Sequence, residues 1–411
     1  MAIVFLEANN TGTASDAMLL AAEHGYDLVF VTMQQEFYQA LPDNPMKHCS
    51  KIITIGDSYN VAEVLAAIRH LDVEAVISFD DYHLVTASLC AQVLGLPHAD
   101  VPGLVAARYK DLTRELTSHL GGGTWFRTVP EDEIGTIDAE SLTYPLVVKP
   151  VDESGSVLVR LCHTPADVRA VTDLYRSHVV NTRGYRPRRA VLLERFIEGD
   201  EYSCELYWDA EQGWRVAGLT QKYLGGPPHF VERGHVFPAP MPAALAERVG
   251  QQVLRWVEAI GLRGGAAHVE CRVNDDGVHL IEVNPRLPGG HITQLVQWCT
   301  GIDMVAGFLD FHLQAKIAHS ASEPRFAAAA SRFIMPEEVS ADVTPDGVRA
   351  AFARLPSYQR GRVQPGAWSP GRGARTNYDR IGYALLAGSE PARVRSDLDA
   401  LAHDLGAAAG R

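Results

Sequence analysis

The segment from His268 to Gly290, HVECRVNDDGVHLIEVNPRLPGG, constrains this chain more than any other. It reads as two strands joined by a tight turn. Apolar residues (Val269, Val273, Leu280, Ile281, Val283) surround three oxygen-bearing side chains, Glu270, Glu282 and Asn284, and Arg286 follows the second strand. Successive side chains of a strand point to opposite faces, so Glu282 and Asn284, two apart, share one face. With Asp275-Asp276-Gly277 as a three-residue loop and Gly277 in the left-handed position such loops require, Glu270 falls directly opposite Glu282. A four-residue loop would put the two carboxylates on opposite faces. Facing carboxylates repel unless a cation sits between them. Hard cations such as magnesium take oxygen ligands. The hairpin is therefore read as a place to hold divalent cations against a triphosphate, with Glu270, Glu282 and Asn284 as the metal candidates.

The 411 residues allow two or three domains, and a hydrophobic fraction of 46% with 21% charged residues is that of a soluble globular protein. No apolar run approaches the roughly 20 residues that span a bilayer. The opening MAIVFLEANNTG lacks a basic region and reads as a first buried strand, not as a signal peptide. A net charge of −13 argues against a nucleic-acid surface but leaves room for a nucleotide, which needs only a few local cations. Six scattered cysteines with no CxxC pair exclude the usual thiolate zinc spacings and point to reduced thiols in a cytoplasm. The sixteen histidines contain no HExxH pair and are expected to be ordinary surface or interior residues.

The first hundred residues alternate short apolar runs (Ile3–Leu6, Leu28–Thr32, Ile52–Ile55, Ala75–Ser78) with helical patterns at Ser15–His24 and Val61–Leu71. That spacing implies right-handed crossovers and a parallel sheet. The turn Asn9-Asn10-Thr11-Gly12 follows the first strand, at the end of the sheet where ligands bind, and no GxGxxG marks a dinucleotide site. Ala106–Leu120 reads as one helix stopped by Gly121-Gly122-Gly123, taken as a cap and turn. Strands are expected at Thr124–Val129, Leu146–Lys149, Val157–Cys162 and Ala190–Phe196, and helices at Pro165–Ser177, Pro242–Ile260 and 302–318. The last ninety residues suggest a small α+β appendage with a loop-like stretch at 361–377.

Lys149 ends the apolar strand PLVVKP, so its ammonium points out of a buried strand end and calls for an anion. Directly after it, Ser154-Gly155-Ser156 can present backbone N–H groups to an anion, and Lys110 supplies a second cation. Then LLERFIEGDEYSCELYW carries a strand ending at Glu194, a turn at Gly199 and a new strand from Glu201.

In order and spacing these segments resemble the ATP-grasp superfamily over about residues 105–300. The carrying pattern is a helix lysine, a strand lysine before a small-residue loop, E-x-x-I-E-G-x-E-Y-S, and E-x11-E-x-N-P-R. The resemblance implies an N-terminal parallel α/β domain (1–105), a two-part ATP-grasp domain (106–320) with a mobile lid at about 124–194, and a C-terminal α+β subdomain (321–411). It implies that Lys110, Lys149 and the Ser154-Gly155-Ser156 lid turn bind ATP phosphates. Arg195, Phe196 and Ile197, beside Glu194, would lie along adenine, and Glu201 would hold the ribose. Glu270, Glu282 and Asn284 would bind magnesium, with manganese as a substitute, and Arg286 would act on the transferred phosphate. HFVERGHVFPAP (229–240) and PRLPGGHI (285–292) look nearest to L-amino-acid ligases and related amide-forming ligases. In that family Glu232 and His235 would face substrate, an acid suiting an α-ammonium group, with Arg286, Gly289 and Gly290 alongside. The expected activity is ATP-dependent joining of a carboxylic acid or amino acid to an amine or amino acid, with ADP and phosphate released. A homodimer is one option, and no nucleic-acid or membrane partner is expected. The alternatives are a purine-biosynthesis-type ligase or carboxylase, and a nucleotide-binding regulator without chemistry. The four-glycine loop of biotin carboxylases and a biotinylation motif are both absent.

Overall fold

In the computed structural model, residues 1–9, 12–41, 43–226, 229–314, 317 and 322–406 are described. Four short apolar runs form a parallel sheet: β1 (Ala2–Leu6), β2 (Asp27–Thr32), β3 (Lys51–Thr54) and β4 (Val73–Ile77), ordered β3-β2-β1-β4. Along β1 the side chains alternate between two cores. Ile3 and Phe5 pack with Phe30 and Ile77, while Val4 and Leu6 pack with Val29, Val31 and Val76. Burial on both faces explains why β1, β2 and the end of β4 read as apolar runs, whereas the edge strand β3 is largely exposed. The loops that follow β1 and β4 leave the carboxyl ends of the strands. Of the turn expected at Asn9–Gly12, Asn10 and Thr11 lie outside the described residues.

A second four-stranded sheet, ordered β5-β8-β6-β7, comprises β5 (Phe126–Pro130), β6 (Leu146–Pro150), β7 (Arg160–Cys162) and β8 (Ala190–Arg195). The helix Pro165–Ser177 covers it, opened by a capping box at Thr164 and Asp167. The strand expected from Val157 begins only at Arg160, because Gly155, Ser156 and Leu158 adopt positive φ and turn the chain first.

The largest sheet has eight strands, ordered β13-β12-β9-β10-β11-β14-β16-β15. Its members are β9 (Asp200–Asp209), β10 (Gly213–Leu224), β11 (Glu232–Phe237), β12 (Ala266–Asn274), β13 (Gly277–Asn284), β14 (Ala328–Ile334), β15 (Tyr358–Val363) and β16 (Gly382–Gly388). The C-terminal α+β region thus continues this sheet through β14, β16 and β15. One face of β9 and β12 (Tyr202, Cys204, Leu206, Val269, Cys271) packs with Val249, Val253 and Trp256 of the helix Ala243–Ala259. The opposite face is polar and faces the cavity described below.

Two local expectations are corrected. The helix expected over 106–120 is broken: one helix spans Val101–Arg108 and another Lys110–Thr117, with Tyr109 extended between them. The Lys110 N–H there donates to the Val151 carbonyl at 2.8 Å, so a tertiary bond replaces the helical one. The helix expected over 302–318 spans Met304–Leu313, and residues 315, 316 and 318 lie outside the described residues.

Candidate active site

A cavity of about 370 Å3 lies between the second sheet, the polar face of the large sheet and the loops of the first. Every site residue expected from the sequence lines it, from Lys110 and Lys149 through Glu194–Ile197, Glu201, Glu232 and His235 to Glu270, Glu282, Asn284, Arg286, Gly289 and Gly290.

Register builds the floor. Glu270 pairs directly across from Glu282, as expected, but by another route. The turn holds only Asp275 and Asp276, since Asn274 already pairs with Gly277. A bulge at Ile281, opposite the Glu270–Cys271 step, then restores the register. Gly277 has a positive φ of 136°, which only glycine adopts readily. Across the strands, Arg272, Glu201, Lys222, His235 and Ser331 form one continuous row of paired positions. Two positions along each strand, Glu282, Glu270, Ser203 and Thr220 form a second row; Asn284, His268 and Glu205 begin a third. Alternation puts all three rows on one face, and buried polar groups in such numbers must satisfy one another.

They do so as an ion network. The Lys222 ammonium reaches Glu270 at 2.8 Å, Glu201 at 3.1 Å and Glu232 at 3.2 Å. Burial alone would favour the neutral amine, but those carboxylates hold its pKa well above the ordinary lysine value. Burial likewise raises the Glu270 carboxyl, and Lys222 and His268 override it and keep the group ionised. His268 bridges Glu205 at 2.8 Å and Glu270 at 3.2 Å. Burial lowers its pKa, the Glu205 carboxylate more than reverses this, and the ring is pushed up to about 9.

At one end of the floor, Lys110 Nζ lies 3.0 Å from Glu282 and donates to the Glu153 carbonyl at 2.7 Å. Lys149, buried at its strand end, lies 2.5 Å from Glu194, whose other oxygen accepts from Arg114 Nε at 2.5 Å. Gly155 and Ser156 follow with φ of 68° and 61° and form the turn above these lysines. Beyond Glu194, the Arg195 N–H donates to the Trp125 carbonyl, and the Ile197 carbonyl accepts from Arg272. Phe196 and Phe230 stack with centroids 6.0 Å apart, and the Arg272 guanidinium lies over both rings. Glu201 is held by Lys222 and Arg272 together.

At the other end, Arg286 meets Asp81 in a two-pronged pair, Nε to Oδ1 at 2.5 Å and Nη2 to Oδ2 at 2.9 Å. Glu232 departs from the simple acid expected. One oxygen faces Lys222, and the other accepts from Arg380 Nη2 at 2.6 Å. Against the upward push of burial, these cations and His235 keep its pKa well below the ordinary range. An α-ammonium group would have to compete with two resident cations. His235 accepts or donates through Nδ1 at Ser331 Oγ, 3.1 Å away, while Nε2 has no hydrogen-bond partner and is 3.6 Å from Glu232. Gly290 has φ of 63° and lies so close to the His235 ring that a Cβ would sit 2.5 Å from it.

Sequence reasoning missed Arg114, Lys222, His268, Arg272, Asp81, Tyr378 and Arg380. Lys222 left a trace, a cation at an inward position of the alternating run GLTQKYL. Arg380 and Tyr378 follow the 361–377 stretch, which carries them to the cavity wall.

The donor set offered to a metal is oxygen only: two facing carboxylates and the Asn284 amide. In this structure Lys222 and Lys110 neutralise the two carboxylates, so the position suits positive charge. Among the described residues no three His, Cys, Asp or Glu side chains cluster to hold an ion alone. That suits magnesium, which binds through one or two carboxylates and completes its shell with water and phosphate oxygens. The six cysteines are free thiols, and among the described residues no helix is long and apolar enough to cross a membrane.

A family model described as the ATP-grasp domain matches residues 142–294. The uncharacterized protein y4rH of Sinorhizobium fredii is 30% identical over 349 residues, covering 84% of this chain and 67% of that protein. Human carnosine synthase 1 is 28% identical over 263 residues, covering 60% of this chain; this chain spans only 31% of that protein's length. Among solved structures, an L-amino acid ligase from Bacillus licheniformis superposes with a TM-score of 0.76 at 19% identity, covering 98% of this chain and 97% of that one.

Proposed function

Since this chain belongs to the ATP-grasp superfamily, we propose that it is an ATP-dependent carboxylate–amine ligase with an amino acid as at least one substrate. It joins acid and amine in an amide or peptide bond through an acyl phosphate and releases ADP and phosphate. The observation that carries this reading is the convergence, in one cavity, of the phosphate-end lysines, the facing Glu270 and Glu282, Arg286, and the Glu232–His235 pair. The names of carnosine synthase and L-amino acid ligase among the similar proteins support it. We assign residues 1–105, 106–320 and 321–411 to three units, with 124–194 as the lid. The six free thiols agree with a reducing compartment such as the cytoplasm.

In the first step a carboxylate oxygen of the acid bonds to the γ-phosphorus of ATP while the bond to the β-phosphate oxygen breaks, and ADP leaves. Lys110 and Lys149 sit where the phosphates would lie, and Arg286 offers its guanidinium to the transferred group. Glu270, Glu282 and Asn284 would hold magnesium, or manganese in its place, and such an ion would supply charge to offset that of the phosphates. The Arg195 N–H and the Ile197 carbonyl are already engaged, and the Arg195 carbonyl takes one long bond from Thr124 Oγ1 at 3.5 Å; its second lone pair and the Ile197 N–H are the groups offered to the adenine edge. Glu201, fixed by two cations, faces the ribose. In the second step the amine attacks the acyl carbon, phosphate departs, and the amine gives up a proton; His235 Nε2 is placed to take it. A closed turn at Ser154–Ser156 keeps water from the acyl phosphate.

One observation weighs against the purine-type alternative. A phosphorylated amine calls for a cluster of cations beyond Arg286. Among the described residues lining that end, the further guanidinium is that of Arg380, and Glu232 already neutralises it. The test is a screen of amino acids and small carboxylic acids in pairs with magnesium and ATP, scored for phosphate release and product mass. Amine-dependent phosphate release, with a product one water lighter than its two substrates, is expected. ATP turnover that ignores the amine, or none across the panel, would refute the reading.

A further inference from the structure

The loop Asp80-Asp81-Tyr82, just after β4, has no part in the reading above, yet its residues together grip three distant segments. Asp80 accepts from Arg183 Nε at 3.1 Å, and Arg183 also reaches the Ala8 carbonyl at 3.2 Å. Tyr82 donates to Glu153 at 2.6 Å and accepts from the Ser154 N–H at 3.3 Å. Asp81 holds Arg286 through both carboxylate oxygens, and its Oδ2 also accepts from Ser154 Oγ at 2.7 Å. One carboxylate is therefore shared by the turn above the phosphates and by the guanidinium at the transferred group.

The geometry of Arg286 gives this sharing a consequence. A guanidinium has five N–H donors in a planar fork. Asp81 takes one from Nε and one from Nη2, and the Leu287 carbonyl takes one from Nη1 at 3.0 Å. What remains is one N–H on each terminal nitrogen, a second fork for an anion, whose plane is set by the Asp81 pair. On its other side the 154–156 turn is bounded by Tyr378, whose ring lies 2.9 Å from where a Gly155 Cβ would be. The turn therefore meets Asp81 only when it is seated between the β4 loop and the C-terminal segment.

We propose that Asp81 is a positioning residue that makes the orientation of Arg286 depend on the seating of the Ser154 turn. Closing the turn brings the Ser154 hydroxyl onto Asp81 Oδ2, fixes the carboxylate, and so fixes the fork that Arg286 presents to the phosphoryl group. Lifting the turn frees the carboxylate and lets the guanidinium tilt. The kinetic part of the test rests on the ligase reading; the exchange part does not.

The full-length protein is compared with Asp81→Asn and Ser154→Ala by hydrogen exchange, with and without magnesium and the non-hydrolysable analogue AMP-PNP. In the unsubstituted protein the nucleotide is expected to protect both the 153–157 backbone and the 285–290 backbone. In Asp81→Asn it is expected to protect the first and not the second. Equal protection of 285–290 in both proteins overturns the proposal. Ser154→Ala removes only the turn's contact and serves if Asp81→Asn does not fold; unchanged protection of 285–290 in it overturns the coupling. In turnover, Asp81→Asn should lower kcat about thirty-fold, as for one lost charge-assisted contact, with the KM for ATP within about threefold. In an Arg286→Lys background it should cost no more than about threefold further. Independent, multiplying losses would overturn the proposal. No amine-dependent turnover in the unsubstituted protein would sink the ligase reading while the exchange result still decides the role of Asp81.

Discussion

Replacing Lys149 by methionine removes a buried cation while keeping most of its volume. Lys149 is 5% exposed, and burial drags its pKa below the ordinary lysine value against the pull of Glu194. Glu194 keeps Arg114 Nε at 2.5 Å after the change. The folded protein therefore loses one of two charge-assisted partners, about 1.5–3 kcal/mol. A carboxylate stranded without any partner would cost about 3–5 kcal/mol. Toward ATP the loss is one charge-assisted contact to phosphate, about 2 kcal/mol. At 1.4 kcal/mol per decade that is about thirty-fold in Kd. Calorimetric titration with magnesium and AMP-PNP measures the affinity, and urea unfolding measures the stability. Glu194→Gln separates direct from indirect action: it leaves Lys149 in place and should weaken binding less than Lys149→Met. Unchanged nucleotide affinity together with unchanged turnover in Lys149→Met would refute the placement of phosphate at this strand end.

Three further outcomes are expected. Glu282→Gln should nearly abolish turnover while the urea midpoint stays close to that of the parent, because an amide is a poorer ligand for a hard cation; full activity would remove Glu282 from the metal set. Glu232→Ala, which strips a partner from both Lys222 and Arg380, should raise the KM of the acid substrate far more than that of ATP, measured by steady-state kinetics. Loss of ATP affinity alone would place the loop in another subsite. His312 is buried against Phe308 and Phe311, and burial lowers its pKa from an ordinary 6.5 to about 4. Between those values the unfolded chain binds more protons, so its contribution is whole above pH 6.5 and falls as pH drops toward 4, by at most about 1.4 kcal/mol per pH unit. Urea unfolding across that range should show a shallower pH dependence in His312→Leu; identical slopes would contradict the assignment.

Much of the scaffold was written in local pattern. Unbroken apolar runs marked β1, β2 and β4, and the helix expected at Pro165–Ser177 spans those residues. The facing of Glu270 and Glu282 followed from strand alternation, although the turn is one residue shorter than expected and the bulge at Ile281 restores the register. A bulge depends on how neighbouring strands twist and pack, and a single strand's pattern does not encode that. The break at Tyr109 has the same origin. Sequence around it favours a continuous helix, and the Val151 carbonyl, just past the end of β6, takes the Lys110 N–H instead.

The residue types of the site, and which of them share one cavity, were legible because cations and carboxylates sit at strand ends and inward positions where a core has no use for them. Their pairing was not. Glu232 meets Arg380 and Lys222, Glu194 meets Arg114, and Arg286 meets Asp81 across 205 residues. An ion pair is fixed by distance in space, and only the tertiary fold, which sets β12, β9, β10 and β11 side by side and packs the β4 loop, the Lys110–Thr117 helix and the segment before β16 against them, decides which charges come within reach of one another.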